Sequence, residues 1–318
     1  SLIVTQESQN TSMSKQDNPD ENQNHLHRLV ADSPMSTIQV IVVVMCFILN
    51  MIDGMDILVV SFTATKLETE WGLSKTELGY IFSVGLIGMM IGCLLLAPIA
   101  DKIGRAKMIM FSMSLVAISM LTTAVIDSYG LMLILRLMTG IGIGCLLPTM
   151  AAMATEFSND KRRDFNVAFF QAGWPIGAIL TGLFVSWVVP LYGWRAAYLT
   201  AGCFSLAMIP LIYFFMPESL EFLAKKQPKN ALKMINILLK SMGHAALEIL
   251  PEKPNKKTAS IQVTALFSNN LKLSTLLLWS GVFFSFMTLY TLISWIPNIA
   301  TTTGMPFELA TYAGTVLN

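Results

Sequence analysis

The sequence predicts an all-α membrane protein, a six-helix bundle followed by the start of a second bundle, on three observations. Apolar residues fill 54% of the 318 positions and charged residues only 13%, against about 25% charge in a soluble domain. The apolar residues fall in continuous runs of about 20, the length that crosses about 30 Å of hydrocarbon as a helix. Lys and Arg gather in alternate loops, as they do in a chain threaded back and forth through a bilayer. Because the runs are continuous and not alternating, they point to helices and away from strands as the spanning element.

Residues 1–36 are rich in Gln, Asn, Ser and Asp and contain no apolar core of signal-peptide length, so they read as a disordered tail. His25 and His27 lie in it and read as solvated side chains, not a metal site. Seven complete spans follow, at 38–62, 78–98, 107–127, 131–154, 165–189, 195–216 and 273–296, with the start of an eighth at 308–317. This divides the chain into a tail, a six-span bundle at 37–216, a connector at 217–271 and the start of a second bundle at 272–318. Two Lys or Arg lie in the tail, three in the loop after span 2, three after span 4 and nine after span 6; only Lys66, Lys75 and Arg195 lie in the opposite loops. The positive-inside rule therefore puts the N-terminus and the connector in the cytoplasm of an integral membrane protein. In the connector, Leu232, Ile235, Leu238 and Leu239 recur at helical spacing among lysines, which predicts a helix lying on the membrane surface. Pro251, Pro254 and Lys256-Lys257 read as flexible linker. Cys46, Cys93, Cys145 and Cys203 all fall inside apolar runs and read as small buried hydrophobes.

Span 1 carries the strongest functional signal. Asp53 and Asp56 are three residues apart on one helical face, and Asn50 extends that face by a turn. A charge at this depth costs from about 2.5 to about 17 kcal/mol unless it is paired or wetted, so its surroundings must supply water, a cation or a proton. Span 4 places Arg136 about 9 Å from its centre, a depth compatible with span 1. A buried guanidinium suits a carboxylate, whether Asp53, Asp56 or an anionic ligand; the alternative is a structural ion pair that only fixes packing. Gly85, Gly88 and Gly92 in span 2 give a face for close helix approach, by static packing or as a sliding surface. Gln171 and Trp174 in span 5 and Tyr290 and Ser294 in span 7 are polar or aromatic groups that either line a cavity or pack. Trp295 reads as an interfacial anchor.

No enzyme constellation is present: there is no phosphate-binding glycine loop, no paired-cysteine metal motif and no serine–histidine arrangement. Nucleic-acid binding has no support beyond loop lysines that topology explains.

Between spans 2 and 3, Asp101, Lys102, Gly104 and Arg105 resemble a signature of the major facilitator superfamily. Arg136 with Gly140, Gly142 and Gly144 resembles a second one, and Gly193-Trp194-Arg195 and Pro217-Glu218-Ser219 are further landmarks. Asp53-Gly54-Met55-Asp56 resembles the Asp-Gly-x-Asp motif of the aromatic acid:proton symporters. The resemblance implies a major facilitator fold and import of a 4-hydroxybenzoate-, benzoate- or muconate-type acid with protons across a bacterial inner membrane. It implies the proton as coupling ion with no other cofactor and no metal, and a small organic acid and the lipid bilayer as partners. Carried over by position, Asp53 and Asp56 are the span-1 carboxylates and Arg136 belongs to the cavity. Asp101, Gly104, Arg105 and Glu156 belong to a cytoplasmic gate. Ala97 and Ala106 depart from the first signature at a glycine and at a cation. The family has twelve spans and this chain stops in the eighth, which implies a truncated protein. A missing C-terminal half would then complete the fold and hold the mates of the span-2 and span-5 glycine faces. The alternatives to a symporter of such acids are a non-transporting sensor of them, a carrier of another small organic solute, and a non-functional truncated product.

Overall fold

The computed structural model describes residues 30–251 and 271–316. Most of the expected tail, with His25 and His27, and the linker containing Pro254, Lys256 and Lys257 lie outside the described residues. Among the described residues there are helices and no strands, and seven helices are long and apolar enough to cross a membrane.

Helix α1 spans Thr37–Trp71 and runs about two turns past the apolar stretch. Its start is fixed by a reciprocal cap in which the Ser36 backbone N–H donates to Gln39 Oε1 at 2.8 Å. Its end falls at Gly72, whose φ of 62° suits a residue without Cβ. Helix α2 covers Lys75–Ile103, capped by Ser74 and Glu77, with a π-turn at Gly92–Leu96. Helices α3 (Arg105–Thr123), α4 (Tyr129–Glu156), α5 (Arg163–Tyr192) and α6 (Trp194–Phe215) complete the bundle. The connector contributes α7 (Leu220–Lys226) and α8 (Ala231–Ser241), and the chain resumes with α9 (Lys272–Thr302) and α10 (Phe307–Val316).

The glycine faces have their mates within this chain, contrary to expectation. A Cβ on Gly88 of α2 would run into the Leu137 carbonyl and come within 3.0 Å of Gly140 Cα on α4, and one on Gly140 would meet the Gly85 carbonyl. Gly173 and Gly177 of α5 likewise sit on the Phe47 and Met51 carbonyls of α1. Lipid gives no hydrophobic drive between spans, so backbone-to-backbone contact through small residues is what pairs α2 with α4 and α1 with α5.

Four further readings are refined by the structure. The apolar stripe of α8, with Ile235, Leu238 and Leu239, is buried in the same cluster as Val30, Phe157 and Phe222 and does not face away from the protein. Residues 30–36, assigned to the disordered tail, are packed: the Ala31 carbonyl accepts from Asp160 N at 3.0 Å and the Ser33 carbonyl from Asn159 Nδ2 at 2.8 Å. Cys46 and Cys145 are buried as expected, but Cys93 and Cys203 are exposed. Trp295 stacks edge-on against Phe82 at 5.4 Å, an interhelical contact.

Helix α9 meets the bundle through one end. Ile293, Ser294, Pro297 and Asn298 are buried, whereas most of 273–289 is exposed. Helix α10 lies against α5, with Thr315 over Gly182.

Candidate functional site

The sequence leaves open whether Asp53, Asp56 or a ligand meets Arg136, and the structure selects Asp56. Arg136 Nη1 donates to Asp56 Oδ1 at 3.0 Å, and both side chains are buried. The guanidinium carbon also lies 5.3 Å from the ring centre of Tyr198 on α6, close enough for cation–π attraction. Thr63 reaches the Tyr198 hydroxyl at 3.4 Å. Tyr198 was not singled out in the sequence; its place four residues after Trp194 on the face of α6 that turns inward was the available signal.

This leaves Arg136 with Nε and Nη2 buried and without a hydrogen-bond partner. The two nitrogens share one edge of the guanidinium, the edge that grips a carboxylate with two parallel bonds. Asp53, one turn from Asp56, is 3% exposed, and its Oδ1 has no partner. Gly54 between them has no room for a side chain, because a Cβ would run into the Trp174 carbonyl of α5. Gly54 of the Asp-Gly-x-Asp stretch thus brings α5 against α1, while both carboxylates lie off that contact on one face of the helix.

Tyr290 and Ser294 of α9 line a cavity of about 40 Å³ with Asp56, Gly85, Arg136 and Gly140. Ligand sites run to about 300–1,000 Å³, so in this conformation the cavity is closed to an aromatic acid. The other expected site residues lie apart from it. Asn50 uses its amide nitrogen on the α5 backbone, at 2.9 Å from the Phe170 carbonyl and 3.4 Å from that of Gln171. The Gln171 side chain is exposed and Trp174 is half-buried; neither lines the cavity.

Asp101, Gly104, Arg105 and Glu156 converge at the connector end. Arg105 pairs with Glu156, with Asp101 at 3.3 Å and with Glu221 at 3.6 Å. Gly104 has a φ of 119°, and the Glu218 carboxylate occupies the space a Cβ would need. From there Glu218 Oε1 accepts from the backbone of Arg105 (2.7 Å), Ala106 (3.1 Å) and Ser219 (3.0 Å). It satisfies orphan donors at the α3 N-terminus, where an anion is favoured. Ser219 Oγ donates to Glu156. The sequence offered Pro217-Glu218-Ser219 as a landmark only, and its role as the cap of α3 was missed. Among the described residues no three His, Cys, Asp or Glu side chains converge as metal ligands.

A model of the Major Facilitator Superfamily matches residues 46–317. The chain is 33% identical over 293 residues to the 4-hydroxybenzoate transporter PcaK of Acinetobacter baylyi, covering 90% of this chain and 64% of that one. It is 29% identical to a gallate transporter of Pseudomonas putida, covering 88% and 63%, and 25% identical to a benzoate transport protein of Acinetobacter baylyi, covering 86% and 60%. The chain thus spans less than two thirds of the length of these relatives. Its fold resembles that of the proton:xylose symporter XylE, with a TM-score of 0.66 at 18% identity over 89% of this chain and 66% of that one. The partially occluded, inward-open form of XylE from E. coli gives a TM-score of 0.65 at 17% identity, over 88% and 68%.

Proposed function

The chain belongs to the Major Facilitator Superfamily, a family of transporters and not of enzymes, and we propose that it forms part of a proton-coupled symporter importing an aromatic acid or a related ring-cleavage dicarboxylate. The observation that carries this reading is Arg136, which is buried, paired to Asp56 through one nitrogen only, and keeps its Nε–Nη2 edge open. A buried, unused guanidinium edge is a receptor for one carboxylate, and its geometry favours a planar acid over a neutral sugar. The relatives named for 4-hydroxybenzoate, gallate and benzoate support the same class of substrate.

In this reading the substrate carboxylate docks on Arg136 and its ring lies toward Tyr290, with Ser294 as polar lining. Asp53 and Asp56 carry the coupling proton: neutralising one of them removes a charge whose burial opposes reorientation of the loaded carrier. Asp101, Gly104, Arg105 and Glu156 form the gate at the cytoplasmic end, the side on which the Lys and Arg distribution puts the connector. Alternating access then exposes a site near the midplane to each side in turn. In this reading the site lies in the inner membrane of a bacterium.

Uptake of labelled 4-hydroxybenzoate, benzoate and muconate by the full-length protein, with and without an imposed proton gradient, tests the reading. Uptake that follows the gradient is expected. Gradient-independent uptake, or normal uptake by both Asp53→Asn and Asp56→Asn, overturns the proton role.

A further inference from the structure

The end of the bundle away from the connector carries a polar network that neither the site nor the connector-end cluster uses. Glu68, near the end of α1, and Lys75, at the start of α2, form an ion pair at 2.7 Å. Asn298 of α9 is 1% exposed and bridges them: its Nδ2 donates to Glu68 Oε2 at 2.8 Å while its Oδ1 accepts from Lys75 Nζ at 2.8 Å. The ion pair belongs wholly to the first six spans, so it stands ready whether or not α9 is docked. An amide is suited to it because it offers a donor and an acceptor together. Beside it the Thr65 and Thr301 hydroxyls meet at 3.0 Å.

About one helical turn deeper, Ser61 Oγ of α1 donates to the Ile293 carbonyl of α9 at 2.6 Å. That carbonyl would ordinarily accept from the residue four positions on, which is Pro297 and has no N–H. In a membrane an unsatisfied carbonyl is costly, and neighbouring Ser or Thr side chains are what make a proline tolerable there. Ser61 is therefore the partner that Pro297 obliges α9 to find. Ser61 also lies 3.1 Å from the Ser294 carbonyl, and Ser294 lines the cavity with Asp56 and Arg136.

We propose that Ser61, Glu68 and Lys75 with Asn298 and the Ile293 carbonyl form a latch that holds α9 over the Asp56–Arg136 cavity and shuts its outer mouth. The proposal rests on the carrier reading only in requiring that α9 leave the bundle during the cycle. Its contacts suit release. They are hydrogen bonds at the rim, where Lys75 is half exposed and water can replace Asn298, and they bind the same end of α9 that is buried.

The test uses full-length protein in right-side-out membrane vesicles, with exposed Cys93 and Cys203 changed to Ala and Gly85→Cys as reporter. Gly85 lines the cavity, and the nearest atom to a Cβ there is the Arg136 carbonyl at 4.0 Å. Labelling by a membrane-impermeant maleimide should be slow in this background. It should speed up at least about tenfold with Asn298→Leu, which loses both charge-assisted hydrogen bonds, and about tenfold with Glu68→Lys, which loses one. The swap Glu68→Lys with Lys75→Glu restores a pair that the Asn298 amide can bridge after turning over, and should return labelling to the slow rate. Unchanged labelling in both single variants, or a swap that stays fast, overturns the latch. The readout needs no substrate: failed uptake of aromatic acids would sink the function while leaving the latch standing, and unchanged labelling the reverse.

Discussion

Asp56 and Arg136 meet at 3.0 Å across α1 and α4, while Asp53, one turn away, makes no ion pair. The two aspartates therefore differ in what their loss should do. Asp56→Asn leaves a buried guanidinium without its counter-charge, which costs about 3–5 kcal/mol. Asp53→Asn removes a buried charge that has no partner and should leave stability unchanged or raise it. Thermal melting of the purified variants in detergent separates them, and equal losses would contradict the asymmetry.

The seam between α2 and α4 predicts a graded response to a single methyl group. Gly88→Ala and Gly140→Ala force carbon against backbone and should each cost about 1–3 kcal/mol. Gly85→Ala, three residues from Gly88 on the same helix, finds its nearest neighbour at 4.0 Å and should be tolerated. Melting temperatures of the three variants give the ranking.

Glu218 joins the connector to the start of α3 through two backbone donors, Arg105 and Ala106. Glu218→Ala should cost about 1–2 kcal/mol, as the loss of a helix cap does. Glu218→Gln keeps an acceptor oxygen and should lose less. Chemical denaturation followed by tryptophan fluorescence can resolve the order, and an Ala variant as stable as the parent would remove Glu218 from the cap.

Pro297 and Ser61 should be coupled. With Pro297 present, Ser61→Ala strands the Ile293 carbonyl; in a Pro297→Ala background the new N–H at 297 can satisfy it. A double-mutant cycle should therefore return a coupling energy of about 1 kcal/mol. Additive effects would mean that Ser61 serves Pro297 no better than any other side chain.

Much of the fold was legible because length, apolarity and cation placement are all that bilayer threading requires. The span positions followed from them, and the depth of Asp53, Asp56 and Arg136 followed from helical rise. The choice between the two aspartates was not legible, since both lie on one face and only the rotation of α4 decides which one Arg136 meets. The partners of the glycine faces were missed for a related reason. A small-residue face announces close approach without saying to what, and α4 and α1 proved to be the neighbours. Asn298 was passed over inside an apolar run, although a single amide one residue after a proline is a polar group that must find company. The stripe of α8 showed its period but not its cover: a membrane surface and the protein's own face ask for the same pattern.

Helix α1 runs unbroken from Thr37 to Trp71 and carries both Asp56 and Glu68. Twelve residues separate them, about 18 Å along the axis at the rise of an α-helix. The two side chains therefore move together when the helix tilts. A rotation of about 5° at Asp56 swings Glu68 by about 1.6 Å at that arm length, enough to pull a 2.8 Å hydrogen bond to Asn298 out of range. If a substrate at Arg136 tilts α1, the same tilt loosens the rim, because one helix carries both Asp56 and Glu68.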